Sequence, residues 1–253
     1  MSTMAGEFAG TLILVFLGCC ACANASLSRT SGGGMGWGAL SAAWGLALAA
    51  GMAASMSRGS HLNPAVSLAM WWIGRIDVAQ LGSSVGGQVL GATAGAALAW
   101  LCFLPSWGRT EDRAAVRAAF VPAPAVRAPL STLVAEAIGS AVFALVMLRL
   151  LAGRTLEAAG EGDAGPTIAT PLAAVDPLSA ALVAGATFSA AMLGVGGTGA
   201  ALNPAHAIGG RVAHALLPVP GRGEGSLAGI GAAVIGPCIG AFAAAAAWRS
   251  LVG

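Results

Sequence analysis

The pattern Gly-x-x-Leu-Asn-Pro-Ala occurs twice in this chain, at 59–65 and at 199–205. Each copy follows a long apolar run and reads as the start of a short helix. Asn caps a helix N-terminus with its side-chain oxygen, and Pro fits the first helical position, where its missing N–H costs nothing. The apolar stretch after the first copy, Val66 to Ile73, is too short to cross a bilayer, for which roughly 20 residues are needed. The chain must therefore hold irregular backbone and a capped helix start at membrane depth twice over. Backbone of that kind is tolerated there only where it is buried in protein or lines a cavity.

Six longer apolar segments surround the two copies: Met4 to Ala25, Trp37 to Ser57, Gln80 to Leu104, Pro129 to Leu151, Leu178 to Leu193 with its flanks, and Ser226 to Trp248. With 57% hydrophobic and 9% charged residues among 253, the chain reads as an all-α, multi-pass membrane protein whose partner is the lipid bilayer. Residues 105–128 carry Arg109, Glu111, Asp112, Arg113, Arg117, Arg127 and three prolines, and predict an extramembrane connection. Residues 152–172, Gly-rich and acidic with Glu157, Glu161 and Asp163, predict a second one. The first segment lacks a basic leader and has Glu7 where one would sit, so the expectation is an uncleaved first span.

The two halves repeat. Glu7-Phe8-Ala9-Gly10-Thr11 answers Glu136-Ala137-Ile138-Gly139-Ser140, the two Asn-Pro-Ala loops answer each other, and Gly91-x-x-x-Gly95-Ala96 answers Gly236-x-x-x-Gly240-Ala241. One domain, 1–253, thus divides into a first repeat at 1–104, a connection at 105–128 and a second repeat at 129–253. Three spans per repeat is an odd number, so the repeats insert with opposite orientation, an architecture that places broken helices at the midplane of a solute pathway. The small-xxx-small pairs let helices approach closely. Charge does not fix the orientation: Arg58, Arg75, Arg149, Arg154 and Arg249 fall on one side, and Arg29, Arg109, Arg113, Arg117, Arg127, Arg211 and Arg222 on the other.

Composition also excludes. All 12 basic residues are Arg, which removes lysine-based phosphate-loop and Schiff-base chemistry. The net charge of +2 is spread along the chain, which offers nucleic acid no basic cluster. Cys19, Cys20, Cys22, Cys102 and Cys238 lie in apolar segments without a Cys-x-x-Cys pair and read as packing residues. Gly194-Val195-Gly196-Gly197-Thr198-Gly199 fits a dinucleotide-loop pattern but lacks the preceding strand and the following acid that such a loop needs. His61, His206 and His214 are scattered and form no metal site. No cofactor is expected, and single intramembrane acids rather than clusters argue against an enzyme.

The paired Asn-Pro-Ala loops, the Glu-x-x-Gly-Thr/Ser starts of spans one and four, and Gly236-Pro237 in span six together resemble the aquaporin and aquaglyceroporin channels over nearly the whole chain. The resemblance implies six tilted helices, two half-helices that meet as a pseudo-seventh span, and a homotetramer with one pore per subunit. It places Asn63, Pro64 and Ala65 opposite Asn203, Pro204 and Ala205 at the pore centre. There two helix N-termini, each carrying about half a positive charge, oppose cations and protons while neutral dipolar solutes pass. The half-helices are expected at about Pro64–Ile73 and Pro204–His214. Carbonyls of Gly59, Ser60, His61, Gly199, Ala200 and Ala201 become candidates for an acceptor ladder. By the same resemblance Glu7 and Glu136 brace the loops by accepting their N–H groups.

The family has an arginine directly after the second Asn-Pro-Ala; here that residue is His206. With it the resemblance assembles an outer selectivity ring of Trp44, Ala191, Ala200 and His206. Two alanines make the ring wide, and Trp44, Arg211 and Val234 lean to the glycerol-conducting branch, whereas Ala207 does not. The expectation is a passive channel for small neutral solutes, either glycerol-like polyols or undissociated metalloid acids, with water also passing. The alternative is a water-selective channel, and the rivals from other classes are a membrane-embedded enzyme and a non-conducting protein of the same fold. Histidine, with a reference pKa near 6.5, makes the expected flux pH-sensitive. A bacterial source would place the chain in the cell inner membrane.

Overall fold

The computed structural model describes residues 2–55, 60–122, 124–158, 176–222 and 229–252. Among them six helices are long and apolar enough to cross a membrane: α1 (Thr3–Ser26), α2 (Trp37–Ser55), α4 (Val78–Cys102), α7 (Pro129–Ala158), α8 (Pro177–Gly194) and α10 (Ile230–Val252). Two shorter helices, α3 (Pro64–Trp72) and α9 (Pro204–Leu216), begin at the Asn-Pro-Ala motifs. No strand occurs among the described residues, and the glycine-rich 194–199 segment is the end of α8 followed by a 3-10 turn at Gly196–Thr198.

The span boundaries lie within a few residues of those read from hydropathy, with two differences. α7 runs on to Ala158 instead of stopping near Leu151, so its last turns enter the stretch read as a loop; the acidic residues Glu161 and Asp163 lie outside the described residues. α9, at 13 residues, outruns the expected His214 end, and α3, at 9 residues, stops short of Ile73. At 1.5 Å per residue the two half-helices measure about 13 and about 20 Å, together about the 30 Å hydrocarbon core.

Helix pairing follows the repeats. α1 packs on α4 and α2, and α7 packs on α10 and α8. Glycine makes both α1–α4 and α7–α10 contacts possible. A Cβ at Gly91 would lie 2.4 Å from the Phe8 carbonyl oxygen, and one at Gly240 2.2 Å from that of Ala137. The half-helices cross over: α3 packs against α10 and α7 of the second repeat, and α9 against α4 of the first. Each repeat thus completes the other, and neither closes a core alone.

The connection between the repeats is folded rather than irregular throughout. It holds two short helices, α5 (Leu104–Trp107) and α6 (Arg113–Ala118). Trp107 stacks on Phe120 at 5.2 Å, and Phe120 meets the His214 ring edge-on at 5.4 Å. Trp107, Val116, Ala119, Phe120 and Val121 are buried. Four apolar side chains and an indole thus pull a charged segment down onto α1 and α9, because burying each large side chain gains about 1.5–3 kcal/mol.

Candidate pore and its outer chamber

At the centre, Asn63 and Asn203 cap α3 and α9. The Oδ1 of each accepts the N–H two residues on, from Ala65 at 2.9 Å and Ala205 at 3.0 Å. Each amide nitrogen reaches across to the other loop: Asn63 Nδ2 donates to the Leu202 carbonyl and Asn203 Nδ2 to the Leu62 carbonyl, both at 2.8 Å. One N–H of each amide is thereby spent on the opposite loop and a second remains, since an amide carries two. Asn63, Pro64, Ala65, Asn203, Pro204 and Ala205 are all buried.

The carbonyls are aimed by unusual backbone. Leu62 and Leu202 have φ of 50° and 46°, a left-handed region that disfavours a residue with a Cβ. Asn203 N–H turns back onto the Ala201 carbonyl. The surroundings impose this geometry. Glu7 accepts the N–H groups of His61 (3.0 Å) and Leu62 (2.8 Å), and Glu136 those of Ala201 (2.9 Å) and Leu202 (2.8 Å). Both carboxylates are at most 1% exposed. The leucine side chains sit in hollows left by glycine: a Cβ at Gly10 would lie 2.5 Å from Leu62 Cδ2, and one at Gly139 2.9 Å from Leu202 Cδ2. This role for the Glu-x-x-Gly element is hidden in sequence, where the glycine reads only as a small residue in a span.

The first loop has further polar attachments. Gln88 Nε2 on α4 donates to Glu7 Oε2 at 2.8 Å and to Ser67 Oγ at 2.9 Å, and His61 Nδ1 lies 3.0 Å from Ser67 Oγ and 3.7 Å from Glu7 Oε1. Ser60 Oγ pairs with Ser55 Oγ at 3.4 Å. Gly59 lies outside the described residues. Gly199 has φ of 85° and Ala200 φ of 43°, so the backbone ahead of the second motif is irregular throughout.

On the α9 side, a cavity of about 290 Å³ opens from Asn203. Trp44, Ala200 and His206 line it, as do Gly199 and Ala201. Trp44 and His206 form one wall, their ring centroids 4.5 Å apart and tilted by 45°. The indole lies over Gly18, where a Cβ would meet it at 2.4 Å, and its Nε1 donates to Cys22 Sγ at 3.4 Å. His206 Nε2 lies 3.9 Å from Cys19 Sγ. Ala191 of α8 is half-buried and is not among the residues lining the cavity; Phe188 and Met192, on either side of it in the chain, are. Cys22, Trp37 and, from the connecting segment, Val121 and Pro122 also line it. Sequence reading missed these, because neither the face of α1 bearing Cys22 nor the descent of residues 118–122 has a periodic signal. Among the described residues no His, Cys, Asp and Glu grouping could hold a metal ion.

The major intrinsic protein family model matches residues 1–248. The chain is 33% identical over 252 residues to the probable glycerol uptake facilitator protein of Thermotoga maritima, covering 99% of this chain and all of that one. It is 31% identical to the glycerol uptake facilitator protein of Bacillus subtilis, covering 95% of this chain and 81% of that one. The fold matches the aquaglyceroporin of Plasmodium falciparum with a TM-score of 0.81 over 98% of this chain and 95% of that one, at 22% identity. Two capped half-helices meeting inside six spans, together with these matches, make the chain a multi-pass membrane protein of the major intrinsic protein family.

Proposed function

We propose that the chain is a passive channel for small uncharged solutes, with glycerol-like polyols foremost, undissociated metalloid acids as a second class, and water also passing. The observation that carries this is the sequence of environments along one path. Two Asn-capped helix N-termini face each other at the centre, and the path widens into a mostly apolar chamber walled by Trp44 and His206 and, among the described residues, free of arginine. Facing helix N-termini repel cations. An indole wall suits the carbon face of a polyol, while the second N–H of Asn63 and Asn203 suits its hydroxyls. The names of the relatives point the same way. In this reading the selectivity ring is Trp44, Ala200 and His206, with Phe188 and Met192 in place of the expected Ala191 on the α8 side, Glu7 and Glu136 brace the loops, and the backbone carbonyls of 60, 61 and 199 to 201 supply acceptors. The active form is a homotetramer with one pore per chain.

Stopped-flow light scattering of proteoliposomes under glycerol and water gradients tests this. Glycerol flux well above that of protein-free liposomes is expected. His206→Arg should lower glycerol flux about tenfold, a barrier change of about 1.4 kcal/mol, while lowering water flux less. Water flux alone would make the channel water-selective, and neither flux would make the protein non-conducting. Light scattering of the purified protein reads the tetramer directly.

A further inference from the structure

A second cavity, of about 470 Å³, lies beside the outer chamber, between the connecting segment, the first turn of α7, the outer half of α9 and the first turns of α10. Arg117, Arg127 and Arg211 all line it, and among the described residues no carboxylate does. Arginine keeps its charge at working pH. Three guanidinium groups around one hollow repel one another, and the Arg117 charge acts directly on Arg211. The only ion pair among the described residues joins His61 and Glu7, neither of which lines this cavity.

Arg211 is the most constrained of the three. Its Nη1 donates to the Ala207 carbonyl at 2.7 Å, which fixes the guanidinium against its own helix. Its Nε is buried with no partner among the described residues. A buried donor left unmet costs about 1–3 kcal/mol, more when it is charged. A half-buried cation with an orphaned donor, two cationic neighbours and an open volume in front of it describes half of a binding site.

We infer that this cavity binds a phosphate-type oxyanion, held by Arg117, Arg127 and Arg211. A tetrahedral oxyanion offers several acceptors to guanidinium forks and neutralises the cluster. Two sources share that chemistry. One is free inorganic phosphate. The other is the phosphate of an anionic lipid: the cavity lies at the first residues of two membrane spans, Pro129 and Ile230, and its wall includes Ile235, which α10 exposes. In either case the bound anion ties the connecting segment to α7, α9 and α10, next to the chamber that Val121 and Pro122 share with it.

The test uses the full-length protein in detergent. Thermal unfolding is followed against sodium phosphate and against sodium chloride at equal ionic strength. In a second arm, delipidated protein is mixed with phosphatidylglycerol or with diacylglycerol, and retained lipid is counted by native mass spectrometry. Stabilisation by phosphate beyond chloride identifies the free anion as ligand, and retention of phosphatidylglycerol but not diacylglycerol identifies the headgroup. Arg211→Gln should raise the half-saturating concentration about tenfold, the loss of one charge-assisted contact. Arg127→Gln, at an exposed loop position, should weaken binding in the same direction and serves if the Arg211 variant does not fold. Equal effects of phosphate and chloride together with no lipid preference, or binding unchanged in both variants, overturn the inference.

Discussion

The two Asn-Pro-Ala loops share one frame and differ in what surrounds it. In both, a buried glutamate takes two successive N–H groups, a left-handed leucine points its carbonyl across the centre, and a glycine three residues after the glutamate makes room for that leucine. In the first loop the frame is set in a polar cluster of His61, Ser67 and Gln88. The repeat register carries these positions onto Ala201, Ala207 and Ala233 in the second, and those three alanines pack together as a small apolar cluster of their own. The second loop has exchanged directional contacts for close packing, which leaves its neighbourhood small-sided. Large side chains appear instead on the outer path, at Trp44 and His206. The same backbone device can therefore be set in polar or apolar surroundings, with specificity written only where the surroundings are free to vary.

The largest expected break in this comparison comes from the glutamates. Glu7→Leu should destabilise by about 3–6 kcal/mol, since it orphans two buried N–H groups at about 1–3 kcal/mol each and strips partners from Gln88 and His61 as well. Glu136→Leu orphans the Ala201 and Leu202 N–H groups in the same way and should cost about 2–6 kcal/mol. Thermal unfolding in detergent measures both, and no loss in either variant would show that the glutamates do not hold the loops. Next in size is Gln88→Ala, which makes the first repeat resemble the second. It removes a hydrogen bond to a charged group, with an expected loss of about 1.5–3 kcal/mol, whereas a chain in which alanine packing serves equally well would show almost none. The smallest effect concerns pH. Any change in glycerol flux between pH 4 and 8 should vanish in His206→Ala, because His206 lines the chamber beside Asn203 and histidine's ordinary pKa falls in that range. Flat profiles in both proteins would break the pH part of the reading and leave its size part standing.

Much of the frame could be read from sequence because its signals are local or periodic. Capped Pro helices announce themselves at Asn63 and Asn203, and the six spans at their hydropathy. What escaped was long-range. The Leu202 and Leu62 carbonyls receive bonds from donors 139 and 141 positions away, respectively, and no spacing rule links them. Gln88 looked like one more residue in a span until α4 carried it to Glu7. The packing of the connecting segment was hidden for a different reason: its arginines are exposed or half-exposed while Trp107, Val116, Phe120 and Val121 are buried, and composition averages the two. On α8, little more than one turn offers Phe188, Ala191 and Met192, and only geometry shows that the larger two line the chamber.

The exchange of bonds between the two asparagines bears on how the protein is made. When the first repeat has entered the bilayer, Asn63 has its cap but not its transverse partner, and the leucine carbonyl beside it awaits a donor from a segment not yet synthesised. The junction of the two half-helices is therefore assembled last, by a meeting of distant parts rather than by growth from one end, and such non-local closure is slow. Two separately expressed repeats, inserted side by side, carry the complementary halves of that junction and should find each other.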